Sequence, residues 1–241
     1  NKYLGDESES QEKTADETTI IGLLQNNYKQ LLSGLGTTLS LALLSFGLAI
    51  IVGIIFGMMS VSPFKTLRVI ASIFVDVVRG IPLMIVAAFI FWGIPNLIES
   101  VTGNQSPIND FVAGTIALTL NAGAYIAEIV RGGIEAVDKG QVEAARSLGL
   151  GYFKTLRKVV LPQAIKIMIP PIINQFITTL KDTSILSVIS VRELTMNSQI
   201  IIAKTYMPFE VYTLAALMYL VVIIALTLVA KYIERRLHHD H

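Results

Sequence analysis

QLLSGLGTTLSLALLSFGLAIIVGIIFGMMSVSPF, residues 30–64, contains no Asp, Glu, Lys or Arg. A helix needs about 20 predominantly apolar residues to cross the hydrocarbon core of a bilayer, and this stretch exceeds that length. Three further charge-free stretches, and one interrupted only by a Lys–Asp pair, follow the same pattern: 80–98, 111–127, 211–230 and 167–191. No soluble core of this size buries five such helices. The pattern therefore predicts an all-α, polytopic membrane protein.

The hydropathy pattern predicts five transmembrane helices, near 37–60, 68–93, 108–130, 167–190 and 209–232. Only 15% of the 241 residues are charged, whereas soluble domains usually carry about 25%. The chain has no cysteine, which excludes disulfides and thiol chemistry. We infer no metal site from the HHDH ending of the C-terminal tail, 237–241.

The distribution of basic residues predicts the orientation of these spans. Lys and Arg favour the cytoplasmic side of short loops. The segment 131–166 carries seven of them, whereas the loop 94–107 carries none. Lys65 and Arg68 lie between the first two spans, and three more basic residues follow the fifth. We therefore expect the N-terminus outside the cell and the C-terminus in the cytoplasm.

The first nineteen residues, NKYLGDESESQEKTADETT, are polar and acidic and cannot form a core. They lack the basic and apolar regions of a signal peptide. We expect 1–19 to be an extracellular linker or tail, and 20–236 to be the transmembrane domain. The linker is either a processed start or the continuation of a substrate-binding domain fused upstream.

A charged hairpin at 135–164 interrupts the apolar pattern. Gly149 and Gly151 can end a first short helix, and YFKTLRKVV starts a second that we expect Pro162 to end. From the residues alone, two readings remain open. The hairpin either inserts into a groove of another protein or lies on the lipid surface with its basic residues at the headgroups.

Four motifs resemble those of one family. EAA at 143–145, then Gly149, then LP at 161–162 resembles the cytoplasmic signature of bacterial ABC-importer permeases. Motifs of the polar amino-acid (His/Glu/Gln/Arg/opine) permeases are similar to RGIPLMI (79–85), NAGAYIAEIVRGGIEAV (121–137) and LKDTSIL (180–186). The resemblance covers residues 20–236 and is strongest to glutamine/glutamate permeases of Gram-positive bacteria, in which binding domains can be fused.

This resemblance implies a type I ABC-importer permease fold in the bacterial cell membrane. It implies that the hairpin is a coupling helix that docks on an ATPase through residues of the signature: Glu143, Ala144, Ala145, Gly149, Leu161 and Pro162. The implied partners are two cytoplasmic ATPase subunits, which bind ATP and Mg²⁺, and an extracellular binding protein or fused domain. A second permease copy or a paralogue completes the path, since five spans are too few to enclose one. This chain itself is expected to bind no cofactor and no nucleic acid.

Polar residues inside the spans are the candidate substrate ligands, because burying them in lipid is costly. The candidates are Asn121, Tyr125, Glu128, Thr178, Lys181, Asp182 and Ser184. We favour Asp182 for a substrate ammonium, with Asn121 and Thr178 as polar partners. Structural roles compete: Asn121 can bond a neighbouring helix, Glu128 can pair with Arg131, and Thr and Ser can bond their own backbone.

Residues near the start of the second span are candidates for structure or gating: Asp76, Arg79, Gly80 and Pro82. Asp76 and Arg79 are spaced to pair on one helix surface, which favours a structural role for them. Pro82 can break the helix and expose backbone groups near the site, as in other transporters.

The sequence predicts a permease rather than an enzyme, because it contains no Walker A, HExxH or GxSxG motif and so offers no catalytic residues. The expected substrate is glutamine or glutamate. The alternatives are a basic amino acid such as arginine or histidine, and, from other classes, an ion-coupled secondary carrier or a simple membrane anchor.

Overall fold

The computed structural model describes residues 19–105 and 107–238, and within these ranges the regular elements are all helical. The helices are α1 Ile20–Ser60, α2 Lys65–Gly80, α3 Leu83–Ala88, α4 Ile94–Thr102, α5 Asp110–Glu135, α6 Lys139–Ser147, α7 Tyr152–Thr155, α8 Leu161–Asp182, α9 Leu194–Thr205 and α10 Pro208–His238. Two π-helical turns, Phe89–Gly93 and Leu156–Val160, and a 3-10 segment, Thr183–Ile189, continue the helices before them. The predicted all-α class is confirmed. The acidic segment 1–18 and the last residues, 239–241, lie outside the described residues.

Five helical segments are long and apolar enough to span a bilayer, as the sequence predicts. Their bounds are Ile20–Ser60, Leu83–Thr102, Asp110–Glu135, Tyr152–Ile189 and Pro208–Ile233. The second differs from the expected 68–93, because the helix is interrupted at Ile81 and Pro82 and resumes at Leu83. Helix α2 therefore precedes the second span as a separate, amphipathic element.

Helix α5 is the centre of the bundle. Within its most apolar window 61% of the residues are buried, compared with 28% or less in the other four segments. It packs most extensively on α1, where Gly53 and Gly57 face Ile126 and Val130 at a distance that leaves no room for a Cβ atom. Small residues at such positions allow transmembrane helices to approach closely.

The outer faces of α1 and α10 are apolar and exposed. Large side chains such as Leu43, Ile51, Val221 and Leu228 are 58–68% exposed in the isolated chain. In water such a surface would drive aggregation. Lipid tails or a second transmembrane subunit cover it at little cost, because neither requires polar groups.

The second arm of the hairpin differs from the sequence expectation. Pro162 does not end a helix, since the chain stays helical from Tyr152 to Ile189. The π-helical turn at Leu156–Val160 precedes the proline, and Pro162 lies in the first turn of α8. Pro162 removes one backbone hydrogen bond from this continuous helix, and the wider π-helical turn directly before it accompanies that loss. The hairpin is thus joined to the fourth span by an unbroken helix.

A buried carboxylate attaches α9 to the bundle. Glu193, which is fully buried and lies between the spans, caps α9 by accepting hydrogen bonds from the Thr195 and Met196 amides at 2.8 and 2.7 Å. The Tyr219 hydroxyl of α10 donates to the same carboxylate at 2.8 Å. Burial raises the pKa of Glu193, and the two backbone amides oppose that shift.

Helix α1 passes very close to the start of α9. A Cβ atom at Gly34 would lie 2.9 Å from the Leu194 Cα and 3.0 Å from the Glu193 carbonyl oxygen. These are backbone atoms, so they cannot rotate away as a side chain would. Thr38, one turn later, accepts a hydrogen bond from the Leu194 amide at 3.2 Å. The position requires glycine for the contact to form.

We therefore expect Gly34→Ala to lower the melting temperature of the purified protein in detergent by roughly 5 °C, because the added methyl group overpacks this contact. Gly36→Ala is the matched control, since a Cβ atom at Gly36 meets nothing within 4 Å. A thermal-shift assay measures both variants. Equal melting temperatures for the two would contradict the close packing of α1 and α9.

Candidate functional site

A polar cavity of about 590 Å³, here called the central cavity, lies where α2, α5 and α8 meet. Its lining residues are Arg79, Gly80, Ile81, Pro82, Leu83, Asn121, Tyr125, Gln175, Thr178, Asp182 and Ile185. The volume falls in the range typical of small-molecule sites. It brings together residues up to 106 positions apart in the chain, from Arg79 to Ile185.

The helix break between α2 and α3 forms one wall of the central cavity. Ile81 is extended, with φ −104° and ψ 129°, and Pro82 lacks an N–H. The break that Pro82 predicts is therefore present. It leaves carbonyl groups at the end of α2 without helical partners, and such groups can serve polar ligands in discontinuous membrane helices.

Helix α5 contributes two of the candidates named from sequence. Asn121 is buried and Tyr125 is 37% exposed, and both line the central cavity. In the described part of the chain, the Asn121 amide forms no hydrogen bond to a neighbouring helix. It is thus available to a ligand rather than used as a link between helices.

Helix α8 contributes polar residues that lie on one side of the helix. Gln175, Thr178 and Asp182 line the central cavity, while Lys181 and Ser184 do not. Successive residues of a helix point about 100° apart, so Lys181 projects to one side of Asp182 and is not a lining residue of the central cavity. The Ser184 hydroxyl donates to the Lys181 carbonyl at 2.7 Å. These two sequence candidates are not part of the cavity.

Gln175 is a lining residue of the central cavity that was not among the candidates named from sequence. Its Nε2 atom is buried and has no hydrogen-bond partner among the described residues. An unsatisfied buried donor is costly, by about 1–3 kcal/mol, unless a ligand or water accepts from it. The i, i+3, i+7 spacing of Gln175, Thr178 and Asp182 would have revealed it. Thr178 itself donates to the Asn174 carbonyl at 3.1 Å, which leaves its oxygen free to accept.

A second polar cavity of about 420 Å³, here called the inner cavity, adjoins the first. It is lined by Ser60, Arg68, Ser72, Val75, Asp76, Arg79, Glu128 and Arg131. It lies toward the side of the bundle that carries the hairpin, because Ser60 ends α1 and the next residue, Val61, accepts a hydrogen bond from Tyr152 at 2.8 Å. Arg79 lines both cavities.

The ion pairs of the inner cavity differ in part from those expected. Glu128 forms an ion pair with Arg131 at 2.8 Å, as the sequence suggests, but Asp76 does not form one with Arg79. The Asp76 carboxylate accepts a hydrogen bond from Ser72 at 2.8 Å, and Arg79 lies 3.6 Å from the Glu128 carboxylate. The reason is tertiary, because α2 packs against α5 and presents Arg79 to Glu128 across that interface.

The hairpin projects exposed residues from this side of the bundle. Glu143 and Ala144 are exposed on α6, whereas Ala145 is buried against the hairpin's own second arm. Gly149 turns the chain with φ +80°, a conformation that favours glycine. At the tip, Leu148 is 85% exposed and Phe153 is 70% exposed. The tip of the hairpin therefore presents two uncovered apolar side chains.

At the far end of the signature, Leu161 is half-buried and Pro162 is exposed at the start of α8. Both lie where the hairpin joins the fourth span. Neither lines the central or the inner cavity. Movement of the hairpin would therefore reach the central cavity through α8, which carries Gln175, Thr178 and Asp182.

An all-helical bundle with five spanning segments, a polar central cavity and a projecting hairpin defines a multi-pass transport protein. Comparison with known proteins gives the family. Residues 49–239 match the model of the binding-protein-dependent transport system inner membrane component. This range is more than half of the chain, and the chain belongs to that family.

Individual relatives agree. The probable glutamine ABC transporter permease protein GlnM of Bacillus subtilis is 35% identical over 92% of this chain and 99% of its own length. The arginine transport system permease protein ArtQ of the same organism is 37% identical over 86% of this chain and 92% of its own. A crystal structure of an amino acid ABC transporter with histidines aligns with a TM-score of 0.82 at 36% identity, over 91% of this chain and 99% of that one.

The chain is therefore a membrane-spanning permease subunit of an ATP-driven importer, located in the inner membrane as a multi-pass protein. It is a transport subunit and not an enzyme, and the ATPase activity lies in a partner subunit. Family membership also implies a substrate-binding partner, and no cofactor is indicated for the chain itself. The predicted ABC-importer permease fold is confirmed.

Proposed function

We propose that the chain forms the translocation path for a polar, zwitterionic amino acid, with glutamine as the preferred substrate, and that the central cavity is its binding site. This proposal rests on three groups that line one cavity. They are the guanidinium of Arg79, the carboxylate of Asp182 and the buried side-chain amide of Gln175, whose Nε2 atom has no hydrogen-bond partner among the described residues. An amino acid presents the complementary groups.

The charges suit a zwitterion. Asp182 is the acceptor for the substrate ammonium, and Arg79 offers donors in a fork geometry that matches a carboxylate. The formal charges of these two residues cancel, so the central cavity favours a substrate whose side chain is uncharged. Gln175 and Asn121 are then available to an amide side chain, with the Thr178 oxygen as a further acceptor.

Arginine is the second candidate. The relative named as an arginine permease is as similar to this chain as the relative named as a glutamine permease. A carboxylate near Arg79, Glu128, would supply the extra acceptor that a cationic side chain needs. However, Glu128 already pairs with Arg131, which favours the uncharged substrate.

We further propose the assembly. Two copies of the chain, or the chain and a paralogue, form a two-fold permease with the N-terminus outside and the C-terminus in the cytoplasm. Two ATPase subunits bind ATP and Mg²⁺ and hold the hairpins. Leu148 and Phe153 are apolar and exposed at the hairpin tip, so contact with an apolar groove on such a partner is more favourable than contact with water. Of the six signature residues, Glu143, Ala144 and Gly149 are exposed on the hairpin and are proposed to dock, whereas Ala145 is buried and Leu161 and Pro162 lie where the hairpin joins α8.

Uptake into proteoliposomes that contain the assembled transporter tests the substrate. We expect ATP-dependent accumulation of radiolabelled glutamine, which a tenfold excess of unlabelled glutamine suppresses more strongly than arginine, histidine or glutamate does. Stronger suppression by arginine would assign the basic substrate instead. Accumulation without ATP but with an ion gradient would contradict an ATP-driven importer and favour a secondary carrier.

A further inference from the structure

We propose that Arg79 is the inner gate of the path: its guanidinium separates the central cavity from the inner cavity, and a substrate carboxylate opens the gate by drawing Arg79 away from Glu128. This inference rests on the proposed function of the central cavity as the substrate site. It adds the residue that controls exit toward the hairpin side.

The position of Arg79 supports a gate. It is a lining residue of both cavities, which have no other lining residue in common. The central cavity is bounded by the helix break, α5 and α8, and the inner cavity by the end of α1, most of α2 and the last turns of α5. A solute that moves directly from one cavity to the other passes along the Arg79 side chain.

The contacts of Arg79 are weak enough to be exchanged. Its Nη1 atom lies 3.6 Å from the Glu128 carboxylate, beyond an ordinary hydrogen bond, and its guanidinium carbon lies 5.0 Å from the centre of the Tyr125 ring. The side chain is 39% exposed. A carboxylate that reached Arg79 from the central cavity could form two parallel hydrogen bonds, which are stronger than either present contact.

Glu128 does not lose its charge partner when Arg79 leaves. Both of its oxygens already accept hydrogen bonds from Arg131, at 3.2 Å from Nε and 2.8 Å from Nη2. The opening therefore leaves no unpaired carboxylate in the membrane, which would be strongly unfavourable. After the substrate departs, Glu128 again attracts Arg79, and this closes the path against backflow.

The backbone next to Arg79 permits the movement. Gly80 follows it, and a Cβ atom there would meet nothing within 4 Å, so this point is loosely packed. Ile81 is already extended. Helix α2 therefore ends at Arg79 and Gly80 without the constraint of a continuing helix, and a change at these two residues does not disturb α3.

The absence of cysteine in the chain allows a direct test of the gate without any transported substrate. Thr178→Cys places one thiol in the central cavity, and Ser72→Cys places one in the inner cavity. A membrane-impermeant maleimide is added to inside-out vesicles that contain the assembled transporter. The rate of labelling then measures access from the hairpin side.

We expect Glu128→Gln to increase the labelling rate at Thr178→Cys by about tenfold or more, because the closed position of Arg79 loses its electrostatic partner. Labelling at Ser72→Cys should not change. The matched control is Glu135→Gln, which removes the same charge and also breaks an ion pair with Arg131, at 2.7 Å, but does not line the inner cavity. It should leave both rates unchanged.

The outcomes separate the gate from the substrate assignment. Equal labelling rates of Thr178→Cys in the wild-type, Glu128→Gln and Glu135→Gln backgrounds would overturn the gate. An equal increase of the labelling rate with Glu128→Gln and with Glu135→Gln would also overturn it. Protection of Ile185→Cys by added glutamine tests the substrate site separately, because Ile185 lines the central cavity but is not a proposed ligand. Faster labelling with Glu128→Gln but no protection by glutamine would leave the gate standing and refute glutamine as the ligand.

Discussion

Uptake by the assembled transporter is expected to fall by about 150-fold when Asp182 is replaced by alanine. Asp182 ends α8 and is the carboxylate of the central cavity. Without it, a substrate ammonium would enter the site with no charged acceptor. Truncating one member of a partly buried charge pair costs about 3 kcal/mol, which corresponds to roughly 150-fold in uptake at low substrate concentration.

Lys181→Ala is the matched control for this change. Lys181 is the preceding residue on the same helix, is exposed and does not line the central cavity. Its removal should change uptake by less than about twofold. Co-purification of the ATPase subunits should be normal for both variants, because neither residue lies on the hairpin. Wild-type uptake by Asp182→Ala, in a complex of normal yield, would rule out the proposed ammonium site.

The second large effect is expected at the hairpin turn. Gly149→Pro should reduce ATP-driven uptake more than tenfold and separate ATP hydrolysis from transport, while membrane insertion remains intact. Gly149 has φ +80°, whereas proline is restricted to a φ near −65°. Proline also removes the amide that donates to the Arg146 carbonyl at 3.0 Å. The turn cannot form, so the exposed tip no longer meets its partner in the same orientation.

Gly151→Ala serves as the control two residues away. Its φ is −67°, which every residue adopts, and a Cβ atom there meets nothing within 4 Å. Uptake and substrate-stimulated ATP hydrolysis should therefore stay near wild type. Glu143→Lys reverses an exposed charge on α6. If the hairpin docks, this variant should also separate ATP hydrolysis from transport, as Gly149→Pro does. Normal coupling in both would count against docking and favour a hairpin that lies on the lipid surface.

Much of the candidate site could be predicted from sequence because its residues follow helical spacing. Asn121 and Tyr125 are four residues apart on α5, and Thr178 and Asp182 are four apart on α8, so each pair shares one side of its helix. Lys181 and Ser184 were included by their polarity alone. Polarity does not reveal the direction of a side chain, and neither residue lines the central cavity.

The partner of Arg79 could not be predicted in the same way. Spacing along α2 favoured Asp76, but the structure brings Glu128 of α5 to Arg79. The choice depends on how two helices rotate and cross when they pack, which follows from side-chain volumes along the whole interface. The sequence also did not predict that the helix continues through Pro162, because it does not reveal the π-helical turn that precedes this proline.

The sequence by itself determined the membrane class, the number of spans, the helix break at Pro82 and the glycine turn of the hairpin. Each of these follows from local chemistry: hydropathy over some 20 residues, a missing N–H, or a backbone that only glycine adopts easily. Only the tertiary structure decided which polar groups share the central cavity and that Arg79 stands between two cavities. Those facts depend on side chains brought together from α2, α5 and α8, and no local pattern encodes the distances between helices.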